Sequence, residues 1–166
     1  MDAITAIKNH RQTVPLSAFV IESNKIEGIL RLPTSEEIMA HEVLTSKDVL
    51  TIADIVTFVS VCQPDAVLRK TTKIPGVRVG KHVAPPSGPK IVKTLESLLA
   101  DIHAITINPY NAHVAYETLH PFTDGNGRSG RALWLWHMHQ VGKEAQALSL
   151  GFLHTFYYQT LANSNR

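Results

Sequence analysis

Apolar residues recur at helical spacing along most of this chain. Ile91, Leu95, Leu98, Leu99 and Ile102 fall three and four residues apart, the repeat of one buried helix face. Thr34 and Glu37 read as a capping box ahead of Ile38, Met39 and Val43, and the apolar run from Val49 to Val61 halts before Pro64. Both predict bundle helices. Asn108 followed by Pro109 supplies a cap and a first position for a further helix that runs to His120. The next carries Leu133, Trp134 and Trp136, read as core, and stops near Gly142. A last helix is expected over roughly 150–161, with Phe152, Phe156, Tyr157 and Tyr158 used for packing.

One segment breaks the helical pattern. Residues 73–89, KIPGVRVGKHVAPPSGP, are rich in Gly and Pro and alternate briefly at Val77, Arg78 and Val79, which predicts a β-hairpin or extended flap. The fold class is therefore all-α, a helical bundle with a small β-hairpin flap, in a single domain over 1–166.

Composition narrows the picture without naming a function. At 166 residues, 44% hydrophobic and 18% charged, the chain can bury a core without disulfide or metal staples and is too apolar for disorder. No apolar run is long enough to span a bilayer, so no membrane is expected. A formal charge of +2 is too weak to argue for nucleic acid, and basic residues are not interleaved with aromatics as single-strand binders require. No nucleic-acid partner is expected. Cys62 is the only cysteine, in an apolar run, so a buried free thiol is predicted. With no signal-peptide pattern at the N-terminus, a cytoplasmic location follows as an expectation. His137 and His139 are two apart, on different helical faces, so they make a poor metal pair and are read as favourable partners of a helix C-terminus.

Chemistry concentrates in HPFTDGNGRSGR, from His120 to Arg131. Gly125, Asn126 and Gly127 can bend tightly and turn backbone N–H groups inward, an anion nest leading into a helix N-terminus. If Gly127 opens that helix, Arg128 and Arg131 project from one face of its first turn. Cations there work against the helix dipole, so an anionic ligand is the better reason for them. Asp124 is placed to hold Mg2+ shared with bound phosphates. His120 can accept a proton from an attacking hydroxyl near neutral pH. Taken singly, HPF is a helix stop with a core aromatic and DGNG a surface turn; together they supply base, metal ligand, nest and cations in order.

Near the N-terminus, Ser23 and Glu27 in IESNKIEG lie four apart, on one face of a predicted helix. On its own this is a solvated carboxylate.

The run from His120 to Arg131 resembles the signature of the Fic family, H-P-F-x-D-G-N-G-R-x-x-R, with every fixed position present, and His113, Tyr116, Glu117 and Leu119 ahead of it are also similar. The resemblance implies a Fic-type bundle and a protein adenylyltransferase that moves AMP from ATP to a Ser, Thr or Tyr hydroxyl. His120 would be the general base, Asp124 the Mg2+ ligand, and Gly125, Asn126, Gly127 and Arg128 would hold phosphates. Arg131 would take the γ-phosphate. IESNKIEG resembles the family's inhibitory element, S/T-x-x-x-E-G/N, with Ser23, Glu27 and Gly28 in a helix over about 16–30. Glu27 would then pair with Arg131 and compete with ATP.

The flap resembles the hairpin with which Fic proteins align a target protein, so Val77, Arg78 and Val79 are candidate docking residues. Tyr157, in a YY-x-x-L run, would lie near adenine. Family members with an N-terminal inhibitory helix often carry further domains, and none is expected here, which leaves the target and any homo-oligomer open. Three readings follow: autoinhibited adenylylation; the same site moving another nucleotide, phosphocholine or phosphate, or removing AMP with Glu27 directing water; and an interaction module with vestigial chemistry.

Overall fold

In the computed structural model, residues 16–143 and 147–148 are described. Helices α1 (Leu16–Ile26), α2 (Ser35–Thr45) and α3 (Ile52–Cys62) precede a hairpin of β1 (Arg78–Val79) and β2 (His82–Val83), and α4 (Pro89–His103), α5 (Pro109–Leu119) and α6 (Asn126–Gln140) follow. The protein is an all-α bundle with a small hairpin, as its apolar periodicity predicts. The helix expected over 150–161, Tyr157 included, lies outside the described residues. No described helix is long and apolar enough to cross a membrane.

Short-range chemistry sets the helix ends. Thr34 accepts from the Glu37 N–H while Glu37 accepts from the Thr34 N–H, and Thr51 with Asp54 does the same for α3, so two orphan donors are satisfied at each start. Asn108 caps α5 through the Asn111 N–H at 2.8 Å. At the other end of α1, Gly28 N–H reaches Lys25 O and Ile29 N–H reaches Asn24 O, with Gly28 in the left-handed region at φ 76°. This glycine-terminated motif stops α1 before Glu27, so the carboxylate sits in the terminating turn rather than inside a longer helix.

Packing places α6 at the centre, against α1, α2, α3 and α5. Arg128 to Met138 are buried without interruption, the mark of a helix covered on every side. Ile91, Leu95, Leu98, Leu99 and Ile102 form the buried face of α4 as their spacing predicts. Trp134 and Trp136 are core, and the Trp136 indole donates to Lys47 O at 2.7 Å. Cys62 is buried, and burial pushes its thiol up to about 11.

α2 departs from its apolar pattern. Met39 and Val43 are exposed, while Glu37, His41 and Leu44 face inward. Two local arrangements hold the polar stripe. Arg31 grips the Glu37 carboxylate with two bonds of 2.9 and 2.7 Å, and that partner outweighs burial to hold the group at about 2. His41 lies edge-on between Phe19 and Phe58, and burial lowers it to about 4, so it packs as a neutral ring. His137 likewise differs from its expected role at a helix C-terminus: it is buried and its pKa is lowered by burial, so near neutral pH it carries no charge to offer the dipole.

Candidate active site

The loop between α5 and α6 is folded by its own side chains. Asn126 Oδ1 accepts from the Phe122 N–H at 2.9 Å, and its Nδ2 donates to Phe122 O at 2.9 Å, closing the turn in both directions. Phe122 is buried beneath. Gly125 is the N-cap of α6 at φ 73°, a conformation few other residues adopt, and Asn126 rather than Gly127 opens the helix. Because the Asn126 amide is engaged with Phe122, its backbone is what remains for an anion. Gly125 has no side chain to cap the first N–H groups of α6, which leaves that end electropositive.

His120 terminates α5 in a left-handed conformation, φ 47° and ψ 64°. A non-glycine residue held there costs about 1–2 kcal/mol, and the surrounding hydrogen bonds must hold it. Its Nδ1 lies 2.5 Å from Glu117 O, so Nδ1–H donates to that carbonyl and Nε2 is left with the lone pair. Burial lowers its pKa; the Glu117 carbonyl opposes this, and His82 and Arg69 add to it. The ring is neutral at neutral pH, the state a base needs.

Arg131 is 1% exposed and reaches across to the end of α1. Nε donates to Ser23 Oγ at 2.8 Å, and Nη2 to Ser23 O at 2.9 Å and to Glu27 Oε1 at 2.6 Å. The guanidinium fork is thus shared between a serine and a carboxylate. Glu27 at the C-terminal end of α1 opposes that helix's dipole, and Arg131 supplies the compensation. The carboxylate also lies against the first turn of α6: a Cβ at Gly127 would overlap Glu27 Oε1. Arg128 turns elsewhere, donating to Gln63 Oε1 at 2.7 Å, so the two arginines hold different partners instead of one. Asp124 is exposed and accepts the Gly125 N–H through Oδ1 at 2.7 Å.

The model of the Fic/DOC family matches residues 43–138, from α2 to α6 and including the whole loop. This chain belongs to the Fic/DOC family. No curated protein matches it. Membership supports a transferase role in general terms, and the matched region excludes the Ser23 and Glu27 contact.

Around the Fic loop, several residues matter that periodicity and motif did not single out. Arg69 is fully buried and has no carboxylate partner among the described residues. It donates to His120 O at 2.7 Å, Leu119 O at 2.8 Å, Pro85 O at 2.7 Å and Ser87 Oγ at 3.2 Å. Arg69 N–H also donates to Pro121 O at 2.9 Å. One side chain therefore ties the loop after α5 to the base of the flap. Glu117, noted only as part of the lead-in, lies beneath the site, with Oε1 3.9 Å from His113 Nε2 and Oε2 4.0 Å from His120 Nδ1. Gly130 makes room for it, since a Cβ there would overlap Glu117 Oε1. Burial raises Glu117 to about 8, with Arg131 opposing and Glu27 reinforcing.

The flap forms where its Gly and Pro content places it. Arg78 pairs with Val83 and Val79 with His82, around a turn with Gly80 at φ 57°. Val77 lies just outside the strands and accepts from the Ala84 N–H at 3.0 Å. His82 Nε2 is 2.8 Å from Thr118 O, and its ring centroid is 6.3 Å from that of His120, so the hairpin stands beside the loop that His120 opens.

Proposed function

We propose that this Fic protein is an adenylyltransferase that moves AMP from ATP to a Ser, Thr or Tyr hydroxyl of a target protein, and that Glu27 holds it inactive. The observation that carries the reading is the buried Arg131, shared between Ser23 and Glu27 with the Glu27 carboxylate against Gly127. A carboxylate in that place mimics an anion and blocks one.

His120 Nε2 takes the proton of the acceptor hydroxyl. The oxygen bonds to the α-phosphorus of ATP, the bond to the β-phosphate oxygen breaks, and pyrophosphate leaves. The backbone of Gly125, Asn126 and Gly127 and the side chain of Arg128 orient the phosphates, and Arg131 takes the γ-phosphate once Glu27 withdraws. Arg128 must exchange Gln63 for substrate to do this. Asp124 fits a Mg2+ site, because it is exposed and one carboxylate plus substrate oxygens suffice for this ion. Asp124 would hold the ion beside the phosphates, where it would supply charge neutralisation. While Glu27 occupies Arg131, nucleotide sits out of line, and a misplacement of about 1 Å costs about a hundredfold in rate.

Incubation with ATP labelled at the α or the γ position tests this directly. Glu27→Gly is expected to incorporate label from the α position alone, far above the parent, and His120→Ala in that background is expected to abolish it while leaving the fold intact. Incorporation from γ would redirect the reading to phosphate transfer. Equal labelling of parent and Glu27→Gly would remove the inhibitory role.

A further inference from the structure

The charge of this chain is segregated. Residues 66–95 contain seven lysines and arginines and not one carboxylate, whereas the remainder carries nine cations against fourteen acids. Within the segment Arg69 is buried as the flap anchor; Lys70, Lys73, Arg78, Lys81, Lys90 and Lys93 are all exposed. None of these six forms an ion pair among the described residues. A solubilising stretch mixes signs, and this segment of thirty residues does not. Lys90 and Lys93 also lie in the first turn and a half of α4, where a cation opposes the helix dipole, so helix stability does not account for them.

The basic segment is the flap and its two flanks, and it borders the site. His82 ties the hairpin to Thr118 beside His120, and Arg69 ties the flap base to His120 itself. Val79 and Val83, 50% and 66% exposed, place apolar steps between the cations on strands that, among the described residues, pair only with each other. A two-stranded hairpin has outer edges that can accept another extended chain through main-chain hydrogen bonds. Bases would need aromatic platforms, and residues 66–95 contain no Phe, Tyr or Trp.

We infer that the flap face docks an extended, acidic segment of the target protein, with carboxylates flanking the hydroxyl presented to His120. This rests on the transferase reading above for its purpose, but the docking itself is measured without nucleotide. Cations close to the site raise the local concentration of an acidic partner and set its orientation, while the strand edge contributes affinity that does not depend on sequence.

The test uses the full chain carrying Glu27→Gly and fluorescein-labelled peptides of about twelve residues, long enough to pass the hairpin. One peptide centres a threonine among alternating glutamates and valines. A second replaces every glutamate with glutamine, and an oligothymidylate of equal length is the third probe. Fluorescence anisotropy is expected to give about tenfold or greater preference for the glutamate peptide over the glutamine peptide, weakening between about 50 and about 200 mM salt. The charge reversals Lys73→Glu with Lys81→Glu, and Lys90→Glu with Lys93→Glu, are expected to remove that preference. Equal binding of the two peptides, tighter binding of the oligonucleotide, or indifference to both charge reversals overturns the inference. Self-labelling by α-labelled ATP is scored on the same proteins: its loss everywhere with acidic-peptide binding intact sinks the transferase reading alone, and its retention with no peptide preference sinks the docking alone.

Discussion

Replacing Glu117 with glutamine isolates the energetic consequence of one carboxyl packed beneath the His120 loop. The side chain is 16% exposed, wedged between His113 and His120 and accommodated by Gly130. Burial lifts it from an ordinary 4.5 to about 8, so the folded protein holds this proton where the unfolded chain has released it. Stability is therefore undiminished below pH 4.5 and falls as pH rises from there towards 8. Each unit of difference is about 1.4 kcal/mol, so the parent should lose about 2–3 kcal/mol between about pH 5 and pH 7 through this group. Glutamine matches the protonated acid in shape and cannot ionise. His41 and His113, lowered to about 4 and about 3, act in the opposite sense, gaining stability as pH rises towards 6.5, but they are common to both proteins and cancel in the difference. Urea unfolding of parent and Glu117→Gln across this range is the assay. The variant should gain on the parent steadily as pH rises, and a pH-independent offset would refute a neutral buried acid at this position.

Arg69→Ala should destabilise the fold by about 3–5 kcal/mol in urea unfolding, because the carbonyls of Leu119, His120 and Pro85 lose one shared charged donor. Arg69→Lys should recover little, since an ammonium does not span that fork; full recovery would show that charge alone matters. Gly130→Ala puts a Cβ into Glu117 Oε1 and 3.0 Å from Tyr116 Cδ1, an overpacking worth about 1–3 kcal/mol, and an unchanged Tm would contradict the close approach. Arg31→Ala removes the forked partner of Glu37 and loosens the segment leading from Glu27 into α2, so self-labelling by α-labelled ATP should rise, and no rise would separate this network from inhibition.

Much of the frame was legible because its causes are local. Thr34 with Glu37 and Asn108 with Pro109 act over three residues or fewer, and the five apolar positions of α4 need only the helical period to fall on one face. The family signature from His120 to Arg131 was legible for the same reason. Its histidine, acid, glycines and arginines fall within twelve residues, and the family match over residues 43–138 encloses them. Asn126 was read as a phosphate contact, and its side chain turned out to close the loop on Phe122, because hydrogen-bond geometry across four residues decides where an amide points.

What the linear chain could not decide is which distant polar groups meet. Arg131 and Glu27 are 104 positions apart, and only resemblance suggested the pair; the packing of α1 on α6 makes the contact. Arg69 gave no signal at all, since a single arginine before Lys70 looks like surface charge until the fold surrounds it with carbonyls from Pro85, Leu119 and His120. The inward stripe of α2 ran against hydropathy because Arg31 and the rings of Phe19 and Phe58 make Glu37 and His41 tolerable inside. Sequence by itself determined the helices from α2 to α6, the flap and the order of the loop, through interactions a few residues long. Tertiary structure decided the partners of Arg69, Arg128 and Arg131, because a buried cation is stable only where the fold brings oxygens to it, whether carbonyls, an amide or a carboxylate.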